Sequence, residues 1–396
     1  MTPRYSCLGS LSFVLLLAAC SNTISDLSRT PDAPAPFNGQ PAPTPAAPPN
    51  VSALPSSAAP ASPLPRVTPE QAPAPALPMQ SSSGVWQAPA VVDPSTPVGI
   101  HGQLRVVGTD LVDAAGTAVQ LKGVSSMWLN WEDRYSTSKP ALQWMRDNWN
   151  ISLFRAAMGV EPEGAYLADP ERALSRLRQV VHNAIDLGVY VLIDWHDHNA
   201  HENRAAAVEF FAKIAAEFGG FPHVLYETFN EPEQADWSSE IKPYHEAVIP
   251  AIRAQDPDGV IVLGSRQWSQ RVDEAALDPV LGSNLMYTVH FYACDHQEQQ
   301  RAEAQTAYAA GLALFVTEWG ATPADGGATD PTVCESEAQL WHDWMNERKI
   351  SWAAWKLDGC GDSSCLLNSD TAPIDGGWTD QWLNGHARFV VDRLTD

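Results

Sequence analysis

The sequence is poor in positive charge. Its 396 residues carry 24 lysines and arginines against 47 aspartates and glutamates, a formal net charge of −23. Only four of those acids and three of those bases precede residue 100, so the rest of the chain holds 43 against 21. A surface of that sign repels phosphate backbones and polyuronates. Nucleic acid and anionic substrates such as pectin are thereby excluded, and a neutral ligand is left. Long apolar runs are also scarce. The run from Leu11 to Leu17 is shorter than the roughly 20 residues a membrane-spanning helix needs, and no other stretch qualifies. A glycine-rich phosphate loop is missing after the first apolar β-rich run, and no other cofactor motif is present, so no cofactor is expected. Cysteine is limited to six residues.

What is present begins with export signals. Arg4, the apolar run and the small residues after it read as a secretory signal peptide over residues 1–19. Leu17-Ala18-Ala19-Cys20 resembles a bacterial lipobox, which implies lipidation of Cys20. Residues 20–97 are rich in Pro, Ala and Ser, and 19 of the 32 prolines fall between Pro31 and Pro97. Such a stretch buries too little apolar area to offset its ordering entropy, so a disordered linker is expected there. Residues 98–396 then suit one large domain. The expected location is the cell envelope, lipid-anchored at the outer membrane, or the exterior after release. With Cys7 in the signal and Cys20 lipidated, four cysteines remain, and four allow three pairings. Cys360 and Cys365 in CGDSSC can close a small loop, which leaves Cys294 with Cys334. A zinc site is the rival, but the spacing matches no common finger and export favours disulfides.

The domain opens with LRVVGTDLVDAAGTAVQL, whose broken alternation predicts a small hairpin. Eight apolar β-rich runs follow: VQLKGV, ISLFRAA, VYVLIDW, HVLYETF, VIVLG, MYTVHFY, LALFVTEW and SWAAW. Amphipathic stretches separate most of them. In DPERALSRLRQVVHNAIDLG, Asp169 can cap, Pro170 suits the first turn, Leu174, Leu177, Val181 and Ile185 share a face, and Gly188 can end the helix. Eight such units predict an α/β fold, a (β/α)8 TIM barrel; a doubly wound open sheet is the weaker alternative.

Function in a barrel sits at the C-terminal strand ends. Strand alternation aims Arg155, Asp194 with His196, Glu227 with Phe229 and Glu231, His290 with Tyr292, Leu314 with Val316 and Glu318, and Trp355 at a common mouth. Glu231 ends the fourth run and Glu318 the seventh. Two carboxyls facing each other across a mouth suit glycoside hydrolysis, one protonated to release the leaving oxygen and one ionised. A lone strand-end glutamate is more often a solvated loop residue. Two of them together with inward Arg and His, which are costly to bury without a partner or a task, are harder to explain that way. Glu227, lower in the barrel, reads as structural and would need a cationic partner.

RAAM, DWH, NEP, HFY, TEWG and the Trp of the last run together resemble glycoside hydrolase family 5, in its bacterial endoglucanase branch, over about residues 100–396. The resemblance implies a retaining endo-β-1,4-glucanase acting on cellulose or soluble β-glucans as a monomer, with a β-glucan as its partner. It implies Glu231 as acid/base, protonated near neutral pH, and Glu318 as nucleophile. His290 and Tyr292 would support Glu318, and Arg155 behind it would hold it ionised. His196 and Asn230 would bind the sugar, and Trp355 would stack beneath it. Asn230 is off alternation with Glu231 and requires a kink at the strand end. Alternatives within the same machinery are a β-mannanase or a mixed-linkage glucanase; a non-catalytic glucan-binding barrel is a further one. No carbohydrate-binding module is evident.

Fifteen tryptophans suit a sugar-binding cleft, because aromatic faces stack on the C–H faces of sugars. Besides Trp355, Trp131, Trp268 and Trp237 are the candidates near strand ends. Trp144, Trp149, Trp341 and Trp344 fall in helical stretches and read as packing. His196-Asp197-His198 could form a metal pair with His290 and Asp194, but Glu231 and Glu318 would then lack a task, so no metal is expected. Two departures from the family pattern stand out. Met127-Trp128 replaces a His-Gly, and KLDGCGDSSC replaces a stretch with a sugar-binding Lys.

Overall fold

The computed structural model describes residues 86–396. The signal peptide, Cys20 and most of the expected linker lie outside the described residues. The folded part starts earlier than residue 98. Trp86 stacks on His182 with ring centroids 3.8 Å apart, and its indole N–H donates to Asp186 Oδ1 at 3.1 Å. Thr96 caps a short helix, Pro97–His101, and the amide of Val98 donates to Gly188 O at 2.9 Å. A truncation beginning at residue 98 removes the Trp86 contacts and this cap. It should melt roughly 5 °C below one beginning at residue 86, the effect of about 2 kcal/mol on a domain of this size. Thermal unfolding of the two truncations checks this, and equal midpoints would show that the segment adds nothing.

The predicted hairpin is present as β1 (Arg105–Val107) and β2 (Asp110–Val112). Eight parallel strands then close a barrel: β3 (Lys122–Ser126), β4 (Leu153–Gly159), β5 (Tyr190–His196), β6 (Val224–Glu227), β7 (Ile261–Leu263), β8 (Leu285–Tyr292), β9 (Leu314–Gly320) and β10 (Trp352–Leu357). β10 pairs with both β9 and β3, which leaves no free edge. The fold is a (β/α)8 barrel. The helix Pro170–Leu187 has the expected ends: Asp169 accepts from the Arg172 amide, and Gly188 adopts φ 66°, where a side chain is strained. No helix among the described residues is long and apolar enough to cross a membrane.

Two apolar layers build the barrel. Inside it, Leu153, Leu192, Leu225, Val262, Met286, Phe315 and Ala353 plug the lower half. Outside it, alternate residues such as Phe154, Val191, Val289 and Val316 meet the helices. Above the plug the inward positions turn polar, at Ser125, Arg155, Asp194, Glu227, Thr288 and His290, all buried. The strands thus support a polar floor on an apolar base.

Simple alternation fails at two strands, and both failures shape the site. In β9 the register slips: Thr288 pairs with Phe315, but His290 pairs with Glu318. Ala313 and Phe315 therefore enter the inner layer and Leu314 and Val316 the outer one, the reverse of the expected phase. The bulge adds the residue that returns Glu318 to the inside. In β6 the ladder stops at Glu227. Phe229, expected inside, instead packs outward on Tyr244 at 5.2 Å, and the irregular stretch that follows brings Asn230 and Glu231 to the mouth together. The kink that Asn230 required is present.

Candidate active site

Arg155 organises the floor. Its guanidinium is fully buried and donates through Nε to Glu227 Oε2 at 2.7 Å, through Nη1 to Glu318 Oε2 at 2.8 Å and through Nη2 to Asn230 Oδ1 at 2.6 Å. Nη2 also lies 2.9 Å from Asp194 Oδ2. A fork with five donors suits this divergent set, where a lysine would serve one or two partners. Burial opposes the charge of Arg155, but Asp194, Glu227 and Glu318 outweigh it and keep the group protonated. Burial likewise opposes ionisation of Glu227; Arg155 and His290 outweigh it and hold Glu227 below its ordinary range. Glu227 is therefore the structural anion expected, and its cationic partner is Arg155.

Glu318 is gripped at both oxygens. Oε2 takes the Arg155 bond, and the Tyr292 hydroxyl donates to Oε1 at 2.6 Å. Burial and the neighbouring Glu318 push the Tyr292 phenol well above its usual range, so it remains a donor. His290 does not support Glu318 as expected. Its Nδ1 lies 2.9 Å from Glu231 Oε1, and its Nε2 lies 2.8 Å from Thr317 Oγ1. Thr317 reaches in turn to Glu227 Oε1. The register slip in β9 explains the difference, because it places Thr317 as well as Glu318 inside the barrel beside His290. Burial disfavours the charged imidazole, but contact with Glu227 and Glu231 raises its pKa to about 9.

Glu231 holds one imidazole per oxygen: His290 at Oε1 and His198 Nε2 at 3.3 Å from Oε2. Burial opposes its ionisation, yet His198 and His290 outweigh burial and hold Glu231 well below the carboxylate range. The expectation of a Glu231 protonated near neutral pH is thus not met without substrate. Oxygens of Glu231 and Glu318 and a nitrogen of His290 all lie within 4.8 Å of one another. Such a cluster could hold a cation, but a protonated His290 opposes ligation, since a metal needs the neutral ring.

The cleft around them is aromatic. A cavity of about 410 Å³ is lined by Glu231, Glu318, Trp268, Tyr292, Gln267 and His296. Trp355 lies parallel to His196, 9° apart at 5.4 Å, and burial keeps His196 neutral. Trp128 meets His196 edge-on at 4.3 Å and stacks on Trp131 at 4.8 Å. Trp131 is 56 % exposed and so offers a free face. Trp128, which replaces a glycine of the family pattern, therefore joins the polar floor to the outer Trp131. Trp237 is a correction. It is only 4 % exposed, its N–H donates to Asp278 O, and it packs against His245 and Tyr287. It belongs to the outer layer, because the segment after Glu231 turns away into the turn Trp237–Ile241. A second cavity, about 460 Å³, lies at the opposite face near Lys122, Arg146 and Ser152. That end of a barrel serves stability.

Trp268 sits in an unusual turn. Gln267, Trp268 and Ser269 have φ of 57°, 54° and 56°. The amides of Gln267 and Trp268 donate to Glu233 O and Pro232 O, and the Ser269 hydroxyl donates to Asn230 O at 2.7 Å. The turn is stitched to the loop that carries Glu231. Disulfides join Cys294 to Cys334 and Cys360 to Cys365, the expected pairing, with Cα separations of 5.3 and 5.7 Å. The first ties the segment after Tyr292 to the segment after Glu318.

Comparison with known proteins places this geometry. The model of the family described as cellulase (glycosyl hydrolase family 5) matches residues 112–361. An endoglucanase of Clostridium saccharobutylicum is 41 % identical over 293 residues, covering 73 % of this chain and 64 % of that protein. Endoglucanase A of Evansella cellulosilytica is 42 % identical over 286 residues, covering 71 % and 57 %. The chain thus spans less than two thirds of the length of these relatives. The solved catalytic domain of Thermobifida fusca endoglucanase Cel5A, in complex with cellotetraose, superposes with a TM-score of 0.72 at 32 % identity, covering 76 % of this chain and all of that domain. On its barrel and on these matches, the chain belongs to glycosyl hydrolase family 5.

Proposed function

We propose that this protein is a retaining endo-β-1,4-glucanase that cleaves internal bonds of cellulose or soluble β-glucans by double displacement. The observation that carries the reading is the approach of oxygens of Glu231 and Glu318 to within 4.8 Å, Glu318 held by Arg155 and Tyr292 and Glu231 by two imidazoles. Carboxyls about 5 to 5.5 Å apart favour retention, because no room remains for a water between nucleophile and sugar. Glu318 has its charge matched by Arg155 and Tyr292 and attacks the anomeric carbon. Glu231 delivers a proton to the departing oxygen. Water then enters on the leaving-group side, loses a proton to Glu231 and releases the sugar from Glu318. Asn230, fixed by Arg155, meets the 2-hydroxyl in this reading, and Trp355 stacks beneath the same ring. The Trp131 and Trp268 faces suit neutral glucosyl units on either side. Export with a lipid anchor at Cys20, and action as a monomer, are part of the same proposal.

The test follows reducing ends and product anomers by NMR on carboxymethyl cellulose, mixed-linkage glucan and konjac mannan. The β-anomer should appear first, with the cellulose derivative cleaved. An initial α-anomer would refute retention. Cleavage of mannan alone would reassign the substrate, and a folded protein inert on all three would refute the enzyme reading.

A further inference from the structure

His198 has no place in the mechanism as it stands, yet it touches the acid/base. Glu231 offers two oxygens. Oε1 is committed to His290, which is buried and held from behind by Thr317. Oε2 is the oxygen left for the cleft, and His198 Nε2 meets it at 3.3 Å. His198 is unlike His290 in being open to the cleft: its side chain is a third exposed, and its other nitrogen lies 4.0 Å from Glu233 Oε1. The ring is seated edge-on against Trp128 at 5.7 Å, so the residue that departs from the family pattern also positions this imidazole. The charged and titratable groups facing it are Glu231 and Glu233 after β6, Glu318 on β9 and His196 at the end of β5.

We propose that His198 stores the catalytic proton for Glu231: in the substrate-free enzyme the proton that will expel the leaving group resides on His198 Nε2, not on Glu231. The inference rests on Glu231 being the acid/base. Binding of a neutral sugar removes water from the contact, which disfavours an ion pair relative to its neutral form. The His198 Nε2–H bond then breaks and a Glu231 Oε2–H bond forms, so imidazolium and carboxylate become imidazole and carboxylic acid. Glu231 passes that proton to the departing glycosidic oxygen. In the second half of the cycle the attacking water gives a proton to Oε2, and it returns to Nε2 as product leaves, with no net change. Two features support the direction. Burial opposes protonation of His198, but contact with Glu231 and the fields of Glu233 and Glu318 raise its pKa. Glu231, conversely, is held ionised between two imidazoles.

The test is the pH profile of kcat/KM, which reports groups of the free enzyme, for the wild type and His198→Gln, with His198→Asn as a second variant. Without the store, the proton must sit on Glu231 beside a charged His290, at a depressed carboxyl pKa. The alkaline limb should therefore move down by at least one pH unit, with kcat at the acid side retained within about tenfold. A merely electrostatic neighbour predicts the opposite, because loss of a cation raises the pKa of Glu231 and moves the limb up. A limb that stays put or rises overturns the proposal. Nitrogen-15 NMR of the wild-type imidazole gives a reading without any variant: His198 should carry protons on both nitrogens at pH 6 in the free enzyme, and a neutral ring overturns the proposal. Full activity of Glu231→Gln would instead remove the acid/base assignment on which the inference stands.

Discussion

Replacing Glu318 by Gln is expected to lower hydrolysis of soluble β-glucan by at least roughly a thousandfold, and Glu231→Gln by roughly a hundred- to ten-thousandfold. The two losses differ in kind. In the proposed mechanism Glu318 supplies the bond to the anomeric carbon, so its loss removes the covalent route for every substrate. In that mechanism Glu231 supplies only a proton, so the effect of its loss should be small for the first step with an aryl glycoside whose leaving group needs none. That variant should then accumulate the glycosyl-enzyme and show a burst of phenol. Azide gives the decisive comparison. Added to Glu231→Ala it should attack the intermediate and yield a β-glycosyl azide. Added to Glu318→Ala it should attack the substrate directly from the vacated face and yield the α-azide. The same azide anomer from both variants would mean that the roles are wrong. Stability should change little for Glu231→Gln, whereas Glu318→Gln also takes a carboxylate from the buried Arg155 and should lower the melting temperature.

Arg155 should behave differently, because its loss damages the fold as well as the chemistry. Arg155→Met leaves Glu227 and Glu318 without their shared cation in a site that is almost fully shielded. Breaking a buried ion pair by removing one partner costs about 3–5 kcal/mol, which corresponds to a fall in melting temperature of roughly 10 °C for a domain of this size. The pH dependence has a definite sign. In the wild type Arg155 lowers the pKa of Glu227, so the stability from that pair is present above the unfolded carboxyl pKa and is lost as pH falls through the folded one. In Arg155→Met burial of Glu227 is opposed only by His290 and Thr317, so its pKa rises relative to the wild type, and the variant is penalised at neutral pH and relieved by acid. The gap in melting temperature between the two proteins should therefore narrow from pH 7 to pH 4.5. A gap that is constant over this range would show that Arg155 contributes packing and not charge compensation. Arg155→Lys should fall between the two, keeping the charge but losing the fork that reaches Asn230 and Glu318 together.

Much of this was legible without coordinates. The eight β-rich runs and the capped helix at Pro170–Leu187 follow from local patterns, which act over a few residues. Glu231 and Glu318 were legible because a strand end followed by a loop places a carboxylate where no apolar neighbour can use it. The partner of Glu227 was legible as a need, since a buried anion demands a cation, though not as Arg155 in particular. What stayed hidden depends on register between strands. The bulge in β9 is set by its pairing with β8, so alternation along β9 alone gave the wrong phase for Leu314 and Val316. The same slip put Thr317 beside His290, where it takes the ring nitrogen expected to face Glu318. Trp237 failed for a related reason: it is close in sequence to Glu231, but the irregular segment 232–236 leads it away from the mouth into the turn Trp237–Ile241. Trp86 was hidden by the proline-rich composition around it, which says nothing about a single ring finding a slot beside His182. His198 had a signal in the H-x-H spacing, but the spacing pointed to metal ligation and could not show which oxygen the ring would meet.

The left-handed turn at Gln267–Ser269 bears on how such an enzyme would respond to selection for heat tolerance. Each non-glycine residue in that region costs about 1–2 kcal/mol, so the turn is among the first places where a random library would find a gain. Glycine at position 269 would relax the backbone and would also remove the hydroxyl that holds Asn230 O. A screen on melting temperature alone would reward that exchange, and a screen on turnover would reject it. The barrel thus places its readiest route to robustness directly behind the loop that carries Glu231, and the two selections would pull this one serine in opposite directions.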